Sequence, residues 1–155
     1  MNRRPETEVA AYSHTQHGSL SILLYGCVLL CMVLAWSAKD TPGLYIAGGA
    51  GVFLALVANA FHHLTVEDQD DRLAIRFGPL PLFRRTLRYA DIDGVEVGRT
   101  LILDGWGIHY SIRGGWVWNL WGRDCVVVHL TKGTLRIGTD DAENLAAFLR
   151  KRMGL

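Results

Sequence analysis

Residues 20–38, LSILLYGCVLLCMVLAWSA, and residues 41–61, TPGLYIAGGAGVFLALVANAF, decide the reading of this 155-residue chain. Only Lys39-Asp40 separates them, and neither contains a charged side chain. Each approaches or reaches the ~20 residues that a helix needs to cross a ~30 Å hydrocarbon layer. A helix on the surface of a soluble domain needs a polar stripe facing water, and neither stretch has a charged one. Burial of both inside a globular core is the competing reading. The roughly 90 residues that follow are too few to wrap two helices that are apolar all round. The expectation is a membrane-spanning α-helical hairpin.

Composition narrows the rest. A net charge of +1 gives no signal for nucleic acid. From Leu64 to the end the chain carries 13 Arg and Lys against 12 Asp and Glu, a nearly neutral mixture. Cys27 and Cys31 fall one helical turn apart in the first apolar stretch and read as lipid-facing or packing residues. Cys125 opens the alternating run CVVVHL and reads as a small core residue. The polar lead MNRRPETEVAAYSHTQHG is longer than a signal peptide's basic head, so the first helix is expected to be a retained anchor. Tyr12, His14 and His17 suit a headgroup boundary, and two histidines alone make a poor metal site.

The turn Lys39-Asp40-Thr41-Pro42-Gly43 forces an antiparallel hairpin, with Pro42 opening the second helix, where its missing amide proton costs nothing. Trp36 and Tyr45 fall at this end as interfacial anchors. Ala47, Gly51 and Ala55 recur every four residues, a small-residue face suited to close helix packing against the first helix or another subunit. Asn59 is placed to hydrogen-bond across the pair. Arg3 and Arg4 precede the hairpin, and Arg72, Arg76, Arg84, Arg85 and Arg88 follow it. The positive-inside bias then puts both termini in the cytoplasm, in a multi-pass protein of a bacterial cytoplasmic (inner) membrane.

After His62-His63 the apolar period changes to two. Leu64/Val66, Leu73/Ile75/Phe77, 82–89, 94–103, Ile108/Tyr110/Ile112, 117–120, 125–130 and 134–137 read as short strands. The last segment differs. Thr139 is placed to cap a helix whose Ala142, Leu145, Ala146 and Leu149 share a face, with acids at its start and Arg150, Lys151 and Arg152 at its end. The predicted organisation is a lead over 1–18, a hairpin over 19–63 and a mainly β domain over 64–155. About seven strands would form a curved sheet or partly open barrel, closed by the terminal helix.

Four of the five tryptophans lie between Trp106 and Trp121, among glycines: GWGIHY, then GGWVWNLWG. Trp106, Trp116, Trp118 and Trp121 either fill the core and brace sheet edges or meet a membrane interface or partner. Trp116 and Trp118 share a strand parity and should point to one face. Arg84, Arg85 and Arg88 form a short basic segment that is either a generic surface edge or a contact for anionic lipid headgroups. His62-His63 sits where the hairpin meets the domain, and histidine is the side-chain type that can change charge near neutral pH. His109 and His129 are candidates to meet in the sheet. No phosphate loop, nucleophile elbow or zinc pattern is present, so no enzyme activity, cofactor or metal is expected.

The order LAIRFGPLP, LRYADIDGVEV, GWGIHY, GGWVWNLWGRD and IGTDDAENLAAFL resembles bacterial membrane-associated pleckstrin-homology-like (PH-like) domains over about residues 64–152, and the preceding hairpin is similar to anchors in small proteins of that group. The resemblance implies a curved sheet capped by a C-terminal helix, and an interaction module more than a phosphoinositide receptor. The functional expectation is an integral-membrane interaction or scaffold subunit. Its partners would be membrane lipids and another integral-membrane protein or a second copy. An anionic-lipid sensor and a small oligomeric channel or transporter subunit are the alternatives; the hairpin holds no charged transport relay.

Overall fold

A computed structural model describes residues 11–80, 82–101, 104 and 107–154. Trp106, one of the tryptophans singled out above, lies outside the described residues. The fold is mixed α/β: a helix pair near the N-terminus, two β-sheets and a C-terminal helix.

Helices α1 (Leu20–Ser37) and α2 (Thr41–Ala60) pack side by side. Asp40 caps α2 by accepting the Gly43 N–H at 2.8 Å, and Pro42 sits in the first turn. Gly51 is where the helices close on each other: a Cβ there would stand 3.2 Å from the Cys31 Cβ. Elsewhere the pair buries little. Only 6% of the apolar window of α1 and 17% of that of α2 is buried, at mean hydropathies of 2.2 and 1.6. Ile22 is 76% exposed and Trp36 92%. By length and composition both helices are able to cross a membrane. Asn59 does not reach across the pair; its side-chain amide donates to the Ala55 carbonyl of its own helix at 2.8 Å.

The first sheet is antiparallel throughout and contains an element that hydropathy did not mark. Strand β1 (Ser13–His17) lies inside the expected lead. It pairs with β2 (His63–Gln69), which pairs with β3 (Arg72–Phe77), which pairs with β4 (Arg84–Arg88). Ser13–His17 is SHTQH, with no apolar residue to alternate, so its strand character comes from the partner it adds to. The domain therefore recruits chain from both sides of the hairpin, with Ser13–His17 of the expected lead joined to its first sheet. Tyr12 and His14 face the start of the terminal helix: the Tyr12 hydroxyl donates to Asp141 at 3.0 Å, and His14 Nε2 lies 2.6 Å from Asp140. His14 and His17 thus face different neighbours.

A 3₁₀ turn at Tyr89–Asp91 leads into the second sheet. Its strands are β5 (Ile92–Arg99), β6 (Gly107–Tyr110), β7 (Trp116–Asn119), β8 (Asp124–Leu130) and β9 (Gly133–Gly138), in the order β5-β8-β9-β7-β6. The β7–β9 pair is parallel and the others antiparallel. Nine strands are described against about seven expected: each of the eight alternating segments forms one strand, and β1 joins from the lead. His109 on β6 and His129 on β8 do not meet; two strands separate them, and they approach Asp104 and Glu96 instead.

One core joins the layers. Leu64, Val66, Leu73, Ile75, Phe77 and Leu87 of the first sheet face Val126, Val128, Leu135, Ile137 and Trp118 of the second. Helix α3 (Ala142–Met153) lays Leu145, Ala146, Phe148 and Leu149 against this core. Each fully buried Leu, Ile or Phe contributes roughly 1.5–3 kcal/mol over an exposed one. Asp141, not Thr139, is the N-cap residue; Thr139 acts one step earlier, its hydroxyl accepting the Asp141 N–H at 3.1 Å. Cys125 is fully buried, which pushes its thiol up to about 11.

The hairpin enters the sheet domain as an insertion. Strands β1 and β2 are antiparallel neighbours, so a two-residue turn would suffice to join them, and α1 and α2 take the place of that turn. The ladder ends at His17 opposite His63, and the Gly18 N–H donates to the His62 carbonyl at 3.1 Å. The Gly78 N–H donates to the His63 carbonyl at 2.7 Å. Gly78 has φ +63°, and a Cβ there would come within 2.6 Å of the Ala60 carbonyl oxygen, so only glycine lets β3 end this close to α2. Phe61 then packs on Phe77 and Phe83 at centroid distances of 5.3 and 5.6 Å.

Candidate docking groove

The two sheets stay open along one seam. Strand β4 ends the first sheet and β6 ends the second, and neither continues into the other. Between them lies a cleft of about 310 Å³ lined by Leu82, Phe83, Arg84, Arg85, Ile108, Trp116 and Trp118. Two groups that the sequence presents separately, the basic segment and the tryptophans, meet here.

Strand alternation divides the three arginines. Arg84 and Arg88 are exposed, while Arg85 shares its parity with the buried Leu87. In register, Arg85 sits opposite Ile75, which in turn sits opposite Val66. A guanidinium thus takes the last place in a row of core residues, with its stem against the apolar interior. Burial pulls Arg85 below the usual arginine range, yet it stays charged at any physiological pH. Among the described residues no carboxylate pairs with Arg84 or Arg85. Arg88 lies outside the cleft, across from Arg72. Arg85 also lines a second cleft of about 410 Å³ with Leu130, Thr131, Lys132 and Asp91, and so stands between the two.

The tryptophans divide as well. Trp118 is 7% exposed and packs on Phe77 at 5.7 Å. Its indole N–H is buried with no acceptor among the described residues, which costs about 1–3 kcal/mol. Trp116 is 44% exposed and meets Tyr110 edge-on at 5.9 Å. Trp121 is not in the cleft; its backbone carbonyl accepts from the Gln16 amide at 3.3 Å, bracing the end of β1. Trp118 is therefore a core residue, and Trp116 stands half-exposed at the cleft.

Sequence reasoning placed Phe83 at the head of the basic segment but missed Leu82, which is 65% exposed, as a lining residue. Both stand beside Arg84 in LPLFRR, an apolar pair abutting a basic pair, and that juxtaposition was the available signal. It also missed His17, whose ring lies 5.7 Å from that of His62 and 5.9 Å from that of His63, because 45 residues of hairpin and flanks separate them in sequence. Asp104 has a turn role: it accepts from the Leu101 N–H at 3.0 Å and the Ser111 hydroxyl at 2.7 Å. Among the described residues no three His, Cys, Asp or Glu side chains are arranged to hold a metal ion.

Of the small-residue face, Gly51 is used inside the hairpin against Cys31. Ala47 and Ala55 line a groove of about 470 Å³ between the helices with Gly48, Val52, Met32 and Trp36. No protein-family model matches the chain, and no curated protein matches it.

The seam offers donors and apolar surface. Two arginines line one cleft beside Trp116 and Trp118, and the side chains lining it supply no carboxylate. Such a lining complements a ligand that carries negative or acceptor groups on an apolar body.

Proposed function

We propose that this chain is a non-catalytic interaction subunit of the bacterial cytoplasmic membrane, with its hairpin in the bilayer and a PH-like sheet domain on the cytoplasmic face. One observation carries the reading: about 40 residues of all-round apolar helix are exposed, while the domain they are inserted into buries its own core completely. Water does not tolerate the first arrangement, and lipid does. The insertion adds a topological reason. His17 and His63 are paired neighbours, so both outer ends of the hairpin emerge at one place, on the side where the sheet domain folds.

In this reading the seam docks a juxtamembrane segment of another integral-membrane protein. Arg84 and Arg85 receive its acidic groups, Leu82, Phe83 and Trp116 its apolar ones, and the open edges of β4 and β6 its backbone. A photo-crosslinking residue at position 82 or 116, in native membranes, should capture one reproducible partner. Arg85→Glu should abolish that capture. Absence of any crosslink from both positions would sink the idea.

A second reading, an anionic-lipid sensor, is favoured by Arg84 and Arg85, which pair with no carboxylate among the described residues, beside exposed Leu82 and Phe83. It is separated from the first by nanodiscs. Trp116 emission should shift when phosphatidylglycerol is added to neutral lipid, with no partner present, and Arg85→Glu should remove the shift.

A further inference from the structure

Three of the six histidines converge where the hairpin is joined to the sheets. His17 closes β1, His62 links α2 to β2, and His63 opens β2. Their ring centroids lie 5.5–5.9 Å apart in all three pairs, and His62 Nδ1 is 3.3 Å from His63 Nδ1. For that last contact to be a hydrogen bond, one nitrogen must donate and the other accept, so at least one of the two rings is neutral. Tyr25 of α1 faces His62 edge-on at 6.3 Å. The charged neighbour acting on His63 is Arg76 of β3, itself paired with Glu67 and set opposite Arg84 in the ladder. Among the described residues none of the three rings is ion-paired with a carboxylate.

The backbone of these same residues holds the joint. The His62 carbonyl accepts from Gly18 and the His63 carbonyl from Gly78, one tying down each end of the hairpin. Phe61, adjacent to His62, packs on Phe83, which lines the seam.

We propose that His17, His62 and His63 form a proton-operated joint: neutral, they clasp the hairpin to the sheet domain, and protonated, they repel one another and release it. Protonating both members of the His62–His63 contact leaves two donors facing each other and destroys the bond. A third cation at His17 then adds to the repulsion, and the nearby Arg76 guanidinium already has its acid, Glu67, as partner. Release loosens Phe61 and so reaches the mouth of the seam. The direction agrees with the environment of His63. Burial first, and then His62, His17 and Arg76, hold it below its ordinary 6.5. A histidine lowered in this way contributes stability that is fully present above 6.5 and is lost as pH falls below it. The joint does not depend on what the seam binds.

Hydrogen exchange of the full chain in nanodiscs tests this. Corrected for intrinsic rates, the protection of the Gly18 and Gly78 amides should fall about tenfold or more between about pH 7.5 and about pH 5, while interior β8 and β9 amides such as Val126 and Leu135 hold. His17→Gln/His62→Gln/His63→Gln should show no such fall. Equal protection at both pH values, the same loss in the triple variant, or a loss shared by Val126 and Leu135 would each overturn the proposal. Should the triple variant not fold, ring-proton titration of the unaltered chain decides. Coupled titration of the three rings spread over more than about one pH unit supports the joint, and three independent curves at the ordinary value overturn it.

Discussion

The hairpin and the sheet domain are both rich in leucine, valine and aromatic residues, yet they dispose of them in opposite ways. In the domain, Leu64, Leu73, Leu135, Leu145 and Leu149 are at or near zero exposure. In the hairpin, Leu23, Leu29, Leu30 and Leu34 are all more than half exposed. The difference lies in period. Strand alternation and the stripe of α3 sort apolar from polar, so those residues find one another. The hairpin has no polar face to sort, so packing two helices together hides only the line where they touch. On the proposed function, one chain serves two solvents, with the boundary at His17–Gly18 and Phe61–His63.

The largest effects should come from treating the two regions alike. Leu135→Ala empties a fully buried site and should cost about 2–5 kcal/mol in denaturant unfolding followed by tryptophan fluorescence. Leu29→Ala, at a site 64% exposed, should cost the fold under about 1 kcal/mol. Equal costs would mean that the hairpin is a packed core after all. Gly78→Ala should rank next, at about 1–3 kcal/mol, because it combines a positive φ with a clash against the Ala60 carbonyl. Its signature should be local. Protection at the hairpin base should drop more than protection in β8 and β9.

The sequence disclosed the elements that follow a period and concealed those that depend on a partner. Both helices, the terminal helix with its buried Leu145 and Leu149, and most strands after His63 were readable from spacing. Strand β1 was not, because SHTQH has no apolar alternation; it is a strand only because β2 presents an open edge to it. The same cause hid His17 from His62 and His63. Within the seam, the residue types were visible and the assembly was not. Arg84, Arg85, Trp116 and Trp118 were all noticed, but their meeting requires two sheets to face each other. Local parity could already have separated Arg85 from Arg84 and Arg88, since Arg85 alone alternates in step with Leu87.

Acid should open one more difference within the domain. Burial alone would raise the Asp104 carboxyl, but hydrogen bonds from Ser111 and the Leu101 N–H hold it below the ordinary 3.8. A depressed carboxylate contributes stability present above 3.8 and lost as pH falls through its folded value, so the turn at Leu101–Asp104 should loosen only in strong acid. The histidine joint should respond in a separate and higher window, below 6.5. Following exchange at Ser111 and Gly18 through one acid titration should show two steps, with Gly18 first. A single shared step would merge the two regions into one cooperative unit.

The smallest effect on the fold should come from filling the groove between the helices. A Cβ at Gly48 would meet nothing within 4 Å, and the residue sits among Ala47, Val52, Ala55, Met32 and Trp36. Gly48→Leu should therefore change unfolding of the sheet domain by less than about 0.5 kcal/mol. Its α2 helix should, if anything, gain propensity. What the substitution sharpens is the identity of the second solvent. If lipid chains fill this groove, they rearrange around the added side chain, and crosslinking between position 48 and neighbouring proteins stays at background in native membranes. If another helix lies there, as small residues allow, Gly48→Leu pushes it out and a crosslink formed from Ala47 or Ala55 is lost. The first outcome leaves the seam as the place where this chain meets its partners, and the second divides that role between the seam and the hairpin.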